Sequence, residues 1–355
     1  MKKKFLAIMM MTVMALSMTA CGSNNAANNN STADSVTEED ATSKSNFKAT
    51  MITDTGGVND QSFNQSAWEG LQDLQEKTGA EVAYLESTQE SDYATNLDKH
   101  VDEGSDLIWG IGFAMADALY EVAEVNDDVN FAIVDNDYEE VPENVTCVTF
   151  RAQDPSFLVG YAAGLTTETN KVGFIGGITS SVIDQFEYGY RAGVQYAAKE
   201  LGKEIEVEVQ YADSFTDSAK GKAIGTSMYT NGCDIVFHAA AGVGIGLIEA
   251  AVEQGKFAIG VDSDQSYLAP ENVLTSALKR VDVAVSSISQ KLANGEEIGG
   301  QSLEYGLADG GVGIPEENPN MAPEVYEKTI ALQEKVAAGE IVVPCNAETL
   351  EAFNQ

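Results

Sequence analysis

The 355-residue sequence is poor in positive charge, with 20 Lys and Arg against 56 Asp and Glu and a formal net charge of −36. Nucleic-acid binding needs clustered Lys and Arg to meet phosphates, so this balance excludes a nucleic-acid partner. It also excludes adhesion to anionic lipid through a basic patch. Histidine is scarcer still: only His100 and His238 are present. Neither has a Cys/His cluster or a nucleophile elbow near it, and both read as structural, His238 with a supporting place beside a glycine loop. The four cysteines are Cys21, Cys147, Cys233 and Cys345, at spacings that fit no metal motif. The last three lie in apolar contexts and read as buried free thiols, a disulfide through Cys345 being the alternative. Long apolar runs are missing as well. The run from Phe5 to Met18 is shorter than the ~20 residues a membrane-spanning helix needs.

That run follows Lys2-Lys3-Lys4 and leads into Thr19-Ala20-Cys21-Gly22, the layout of a secretory signal. Small residues before a cysteine resemble the lipobox of bacterial lipoproteins, although Met18 stands where leucine is preferred. Residues 1–20 therefore read as a lipoprotein signal peptide, with Cys21 the lipidated residue that holds the chain on the extracytoplasmic face of the cell membrane. An ordinary cleaved signal is the alternative. Residues 21–46 have almost no large apolar side chain. Such a segment cannot repay its ordering entropy, and it reads as a flexible tether. The rest exceeds the size at which a single core keeps growing, which predicts two lobes.

The stretch Met51 to Gly70, MITDTGGVNDQSFNQSAWEG, sets the pattern. A strand ends near Ile52, Gly56-Gly57 supply the freedom of a sharp turn, and Ser62 is placed to cap a helix with Phe63, Ala67 and Leu71 on one face. Asp54, Asn59, Asp60 and Asn64 gather at the strand end, where open α/β sheets bind ligands. Strands and helices then alternate twice over, first through Val145–Phe150 and again from Lys171 to Val261, each series predicting a doubly wound parallel sheet. Extended segments at 273–278 and 302–307 flank a helix at 281–292, so the chain is expected to revisit the first lobe and return. The predicted organisation is a two-lobed α/β protein of type I periplasmic-binding-protein fold. Its N-terminal lobe is 47–152 plus 281–305, its C-terminal lobe 153–280 plus 306–355, and its ligand cleft lies between them.

Three collinear runs carry a resemblance: DTGGVNDQSFNQSAWEG from Asp54, YADSFTDSAKGKAIGTSMYTNGCDIVFHAAAGVGIG from Tyr211, and FAIGVDSDQSYLAPENVLTSALKRVDVAV from Phe257. Together they resemble the basic membrane protein (BMP) family of lipoproteins, the solute-binding components of ABC-type nucleoside importers. The resemblance implies a purine base sandwiched between Phe63 and Phe215. It implies base contacts from Asp54 and from Asp135 or its neighbour Asp137, with Asn64 beside them. Ribose hydroxyls would meet Lys279 and Asp262, with Asp264 as the alternative carboxylate. Gly242-Val243-Gly244-Ile245-Gly246 lacks the G-x-G-x-x-G spacing of a dinucleotide site. The expectation there is that glycines such as Gly242 let backbone N–H groups approach the sugar. The implied partners are a nucleoside, an ABC permease and, through lipid on Cys21, the membrane. No cofactor, metal or catalytic residue is expected, and a nucleoside hydrolase using the paired carboxylates is the rival class. A sugar or autoinducer receptor of the same fold is the other alternative.

Overall fold

The computed structural model describes residues 46–354; the signal segment, Cys21 and all but the end of the tether lie outside the described residues. In chain order, the first series is β1 (Lys48–Ile52), α1 (Phe63–Thr78), β2 (Glu81–Leu85), α2 (Tyr93–Asp102), β3 (Leu107–Ile111), α3 (Ala116–Val125), β4 (Asn130–Val134) and β5 (Val145–Phe150). The second is α4 (Gln153–Thr166), β6 (Lys171–Gly176), α5 (Ser181–Leu201), β7 (Glu206–Tyr211), α6 (Ser218–Thr230), β8 (Ile235–Ala239), α7 (Gly242–Gln254), β9 (Phe257–Asp262) and β10 (Val273–Lys279). The chain closes with α8 (Val281–Ala293), β11 (Gln301–Tyr305), β12 (Val312–Gly313), α9 (Pro323–Ala337) and α10 (Ala347–Phe353).

The strands form two sheets, ordered β11-β5-β4-β3-β1-β2 and β12-β10-β9-β8-β6-β7. Each has the doubly wound order in which direction reverses beside the first strand, at β1/β3 in one and β6/β8 in the other. The first sheet is parallel throughout, and the second is parallel except for β12, which runs against β10. Helices cover both faces, so β3 and β8 are buried at every residue, as parallel sheets require. Trp109 in β3 is fully buried, and its indole N–H donates to Ser289 Oγ of α8 at 3.0 Å, so α8 is fastened to the first sheet.

Three short crossovers join the lobes: one after β5, one at Arg280, and one from Gly306 to Gly311. They are tied to one another, since Arg151 N–H donates to the Tyr305 carbonyl and Arg280 N–H to the Gly311 carbonyl, both at 2.9 Å. The third crossover is tighter than the extended segment expected from the sequence. Asp309 Oδ1 accepts from Gly306 N–H at 2.9 Å and Gly311 N–H at 3.1 Å, which folds the chain into a turn after Tyr305. Leu307 packs against the cores of both lobes.

Other details depart from the sequence reading. Helix α5 starts five residues earlier than Phe186, because Ser180 Oγ accepts from Ile183 N–H at 3.3 Å and caps it. Helices α9 and α10 were not anticipated; they pack on α4 and α5. Cys147 and Cys233 are buried free thiols, whereas Cys345 is a half-buried free thiol rather than a buried one.

Helix α4 is buried on all sides from Gln153 to Gly164. This is achieved by backbone contact with α5. A Cβ at Gly160 would lie 2.2 Å from the Tyr190 carbonyl oxygen, and one at Gly193 2.0 Å from that of Phe157. The Gly193→Ala variant should therefore lose about 1–3 kcal/mol of unfolding free energy in urea titration. Gly313→Ala, where a Cβ meets open space, should be nearly neutral.

Candidate functional site

The carboxyl ends of the strands from both sheets face one cleft, and it holds about 940 Å³ of atom-free space, open solvent included. Its first wall is the turn after β1. Asp60 is the true cap of α1: its Oδ1 accepts from Ser62 N–H at 3.0 Å and Gln65 N–H at 3.1 Å, and its Oδ2 from Asn64 N–H at 2.9 Å. Ser62 stands at the N-cap position but makes no side-chain cap bond. Its hydroxyl instead donates across the cleft to Asp262 Oδ2. The expectation that Ser62 caps the helix is thus corrected, because the neighbouring carboxylate satisfies the orphan N–H groups.

Asn64 is oriented by the same turn. Its Nδ2 donates to Asp54 Oδ1 at 2.8 Å and to Asp60 Oδ2 at 3.1 Å. Its Oδ1 is buried without a hydrogen-bond partner. Asp54 Oδ1 also accepts from Gly56 N–H at 2.8 Å. Asp54, Phe63, Asn64 and Asp135 all line the cleft from the first lobe.

The second wall brings Phe215, Asp262 and Lys279 into the same space. Lys279 is 2% exposed and pairs with Asp135 Oδ2 across the lobes. Its ammonium also lies 4.7 Å from the centroid of Phe63 and 5.3 Å from that of Phe150, within cation–π range. Phe215 meets Phe113 edge-on, with centroids 6.5 Å apart. Glycine makes room for one of the two rings that the sequence singled out: a Cβ at Gly177 would sit 2.1 Å from Phe215.

Two pairs left open by the sequence are separated by geometry. Asp135 faces the cleft, while Asp137 is exposed and accepts from Ser302 Oγ. Asp262 faces the cleft, while Asp264 is exposed and accepts from Ser266 N–H at 3.0 Å to start the turn Gln265–Leu268. Gly242 falls outside the lining, which passes through Ala239, Ala240 and Ala241. Gly244 and Gly246 of that loop serve packing. A Cβ at Gly244 would strike the His238 ring at 1.9 Å, and one at Gly246 the Ser218 carbonyl oxygen at 1.8 Å. The N–H groups of Val243 and Gly244 are already bonded, to the carbonyls of Ala240 and Ala241. Sequence reading missed Phe113, Phe186 and Ala241 as lining residues. Phe113 was findable, since it follows the end of β3 just as Phe63 follows the end of β1.

Electrostatically the cleft is overloaded with negative charge. Among the described residues that line it, Lys279 is the only cation, and Asp54, Asp135 and Asp262 are joined by the nearby Asp60. Burial pushes Asp54 up to about 6, with Asp60 and Asp135 adding to the rise against the hydrogen bonds from Gly56 and Asn64. Burial likewise pushes Asp262 up to about 6, although Lys279 and Ser62 pull it down. Among the described residues, Asp54 accepts hydrogen bonds only through Oδ1, and Asp135 and Asp262 only through Oδ2. The second oxygen of each of these three carboxylates is an unfilled acceptor in the cleft. The cleft suits a ligand rich in N–H and O–H donors and opposes an anion.

Two doubly wound lobes, three crossovers and a cleft of acceptors and aromatic rings define the class: a solute-binding protein of periplasmic-binding fold. A family profile described as ABC transporter substrate-binding protein PnrA-like (Bmp) matches residues 47–347, and the chain belongs to that family. It is 40% identical to the CD4+ T-cell-stimulating antigen of Listeria innocua, over 97% of this chain and 99% of that protein. It is 38% identical to the ABC transporter nucleoside-binding protein BmpA of Lactococcus lactis, again over 97% and 99%. Among solved structures, an ABC transporter solute-binding protein from Aeropyrum pernix superposes with a TM-score of 0.79 at 26% identity, covering 86% of this chain and 96% of that one.

The raised acidity constants make a pH prediction. Asp54 in the folded chain keeps its proton up to about pH 6, whereas in the unfolded chain it releases it near the usual carboxylate value. The folded state therefore binds more protons between about pH 4 and 6, and stability falls as pH rises through that window. Asp54→Asn should lessen this slope, Asp262 keeping its own share, and raise the stability of the ligand-free chain at pH 7.5 by on the order of 1–3 kcal/mol. Thermal unfolding across pH 4–8 checks it.

Proposed function

We propose that this solute-binding protein captures a purine nucleoside and delivers it to an ABC permease. The observation that carries the reading is that Phe63 and Phe215, one from each lobe, line the same cleft as three carboxylates that each keep a free oxygen. A flat base between the two rings gains ~1–3 kcal/mol from stacking. Its N–H groups can donate to Asp54, which Asn64 orients, and the vicinal hydroxyls of a ribose to Asp262; Asp135, the other base contact the resemblance implies, is paired with Lys279 and offers its free oxygen beside it. A pyrimidine offers less area to stack, and a 2′-deoxyribose one donor fewer. A nucleotide would bring its phosphate to a cleft whose only lining cation among the described residues is already paired with Asp135. The name of the Lactococcus relative supports the nucleoside class.

In this reading no bond of the ligand is broken. The lobes close over it by rotation about the three crossovers. The chain stands on the extracytoplasmic face of the membrane, held by lipid on Cys21 with residues 21–46 as its tether. No helix among the described residues is long and apolar enough to cross a membrane.

The test is titration of unfolded and refolded chain, so that no carried-over ligand remains, against nucleosides, free bases, ribose, other sugars and nucleoside monophosphates. Inosine, guanosine or adenosine should bind, and a ligand at 100 times its Kd should add about 2.7 kcal/mol to stability. Monophosphates should bind far more weakly. Phe63→Ala and Phe215→Ala should each weaken binding by about 5- to 150-fold. A chain stabilised only by a sugar would overturn the stacking roles, and catalytic release of free base would overturn the receptor. The anchor is tested separately: Cys21→Ser should move the chain from the membrane fraction to the medium, and retention on the membrane would count against the lipid.

A further inference from the structure

Beside the cleft, three residues that do not line it join the lobes. Gln61, in the turn before α1, meets the turn Gln265–Leu268 of the other lobe twice. Its carbonyl accepts from Gln265 Nε2 at 2.9 Å, and its side-chain Oε1 accepts from the Tyr267 hydroxyl at 2.7 Å. The Gln61 backbone is in the left-handed region, with φ of 57°. That conformation costs a residue with a side chain ~1–2 kcal/mol and persists where its surroundings hold it. The flanking residues do so: Asp60 is fixed by the helix N-terminus and Ser62 by Asp262.

Gln265 is fully buried and its amide has one orientation. Oε1 accepts from Val261 N–H at 3.1 Å and lies 2.9 Å from His238 Nε2. An oxygen that already accepts in this way makes His238 Nε2 the donor, and only Gln265 Nε2 remains to reach Gln61. Burial pushes His238 down to about 4, so this neutral tautomer persists across the physiological range. Two glycines make the space for the pair. A Cβ at Gly244 would strike the His238 ring, and one at Gly260 would lie 2.7 Å from Gln265 Oε1. The buried polar pair is thus prearranged in the second lobe, and its remaining donor is aimed at the first.

We infer that Gln61, Gln265 and Tyr267 are positioning residues that form a latch between the closed lobes and slow the exit of the ligand. Its bonds form only after the lobes have come together. Removing them therefore accelerates dissociation and leaves the encounter rate alone, as is usual for contacts made late in binding. The inference rests on the solute-binding reading of the cleft and adds residues that the ligand does not touch.

The experiment is stopped-flow kinetics of inosine with the full chain, Tyr267→Phe and Gln61→Gly. Tyr267 is 54% exposed, so loss of its hydroxyl leaves the core untouched. Glycine at 61 keeps the left-handed backbone. Each variant should release inosine about 2- to 12-fold faster, the worth of one hydrogen bond, with an unchanged association rate. Dissociation at the wild-type rate in both variants, or association slowed as much as dissociation is accelerated, would overturn the latch. If the wild-type chain takes up none of the nucleosides, the nucleoside reading fails and small-angle scattering decides the latch alone. The double variant must then have a larger radius of gyration than the wild type, and equal radii would overturn it.

Discussion

The constraint on which the rest depends is the burial of carboxylates against one lysine between two lobes. Charges removed from water cost several kcal/mol each unless partners replace the solvent. Here the partners are supplied from both sides of the gap: Lys279 answers Asp135, and Ser62 answers Asp262. Asp135 and Asp262 each take a partner from the other lobe. The same arrangement leaves acceptors over. A donor-rich guest completes what the protein leaves unfinished, and each hydrogen bond it gives is worth more for being made away from water.

Capture of a guest between the lobes, as proposed, needs lobes that can part and return in register. The crossovers meet the need because they are short and hydrogen-bonded to one another, so a rotation must bend all three together. Lys279 ends β10 immediately before the crossover at Arg280. The cation that pairs the lobes therefore sits next to the axis, where opening moves it least. Gln61 and Tyr267 belong to turns rather than to crossovers, and opening has to break their contact outright.

Much of this was legible in the sequence because it follows from local rules. Alternating apolar strands and helices defined two parallel sheets, and polar residues after apolar runs marked the strand ends that face the cleft. Phe63, Asn64, Asp54 and Phe215 were reached in this way together with the family motifs. What was not legible depends on distance in sequence. The hydroxyl of Ser62 reads as a cap until Asp60 is seen to occupy that role, and its real partner, Asp262, is 200 residues away. The glycine loop at Gly242 suggested backbone approach to a sugar, since sequence shows where a side chain is missing but not what fills the space. At Gly244 it is the ring of His238. Helix α9 carried its own signal, a proline at its first turn and apolar spacing through Val325, Leu332 and Val336.

Backbone strain gives an independent view of where the function lies. Among the described residues, six other than glycine have positive φ, and four of them, Gln61, Asp135, Ala241 and Asp262, lie in or beside the cleft. Asp135 follows β4 with φ of 67°, and Asp262 ends β9 with φ of 64°. They occupy corresponding places in two lobes of the same winding order. Aspartate tolerates this conformation better than most side chains, and there the strand turns out of its sheet, so the side chain can be directed into the cleft rather than along the pleat. Strain at such points has to be held by the rest of the fold. What holds it here is the pairing across the gap, in which Lys279 grips Asp135 and Ser62 grips Asp262. The contacts that neutralise the buried charges and those that hold the strained turns are therefore the same contacts, and lobe closure and the shape of the binding site are one physical event.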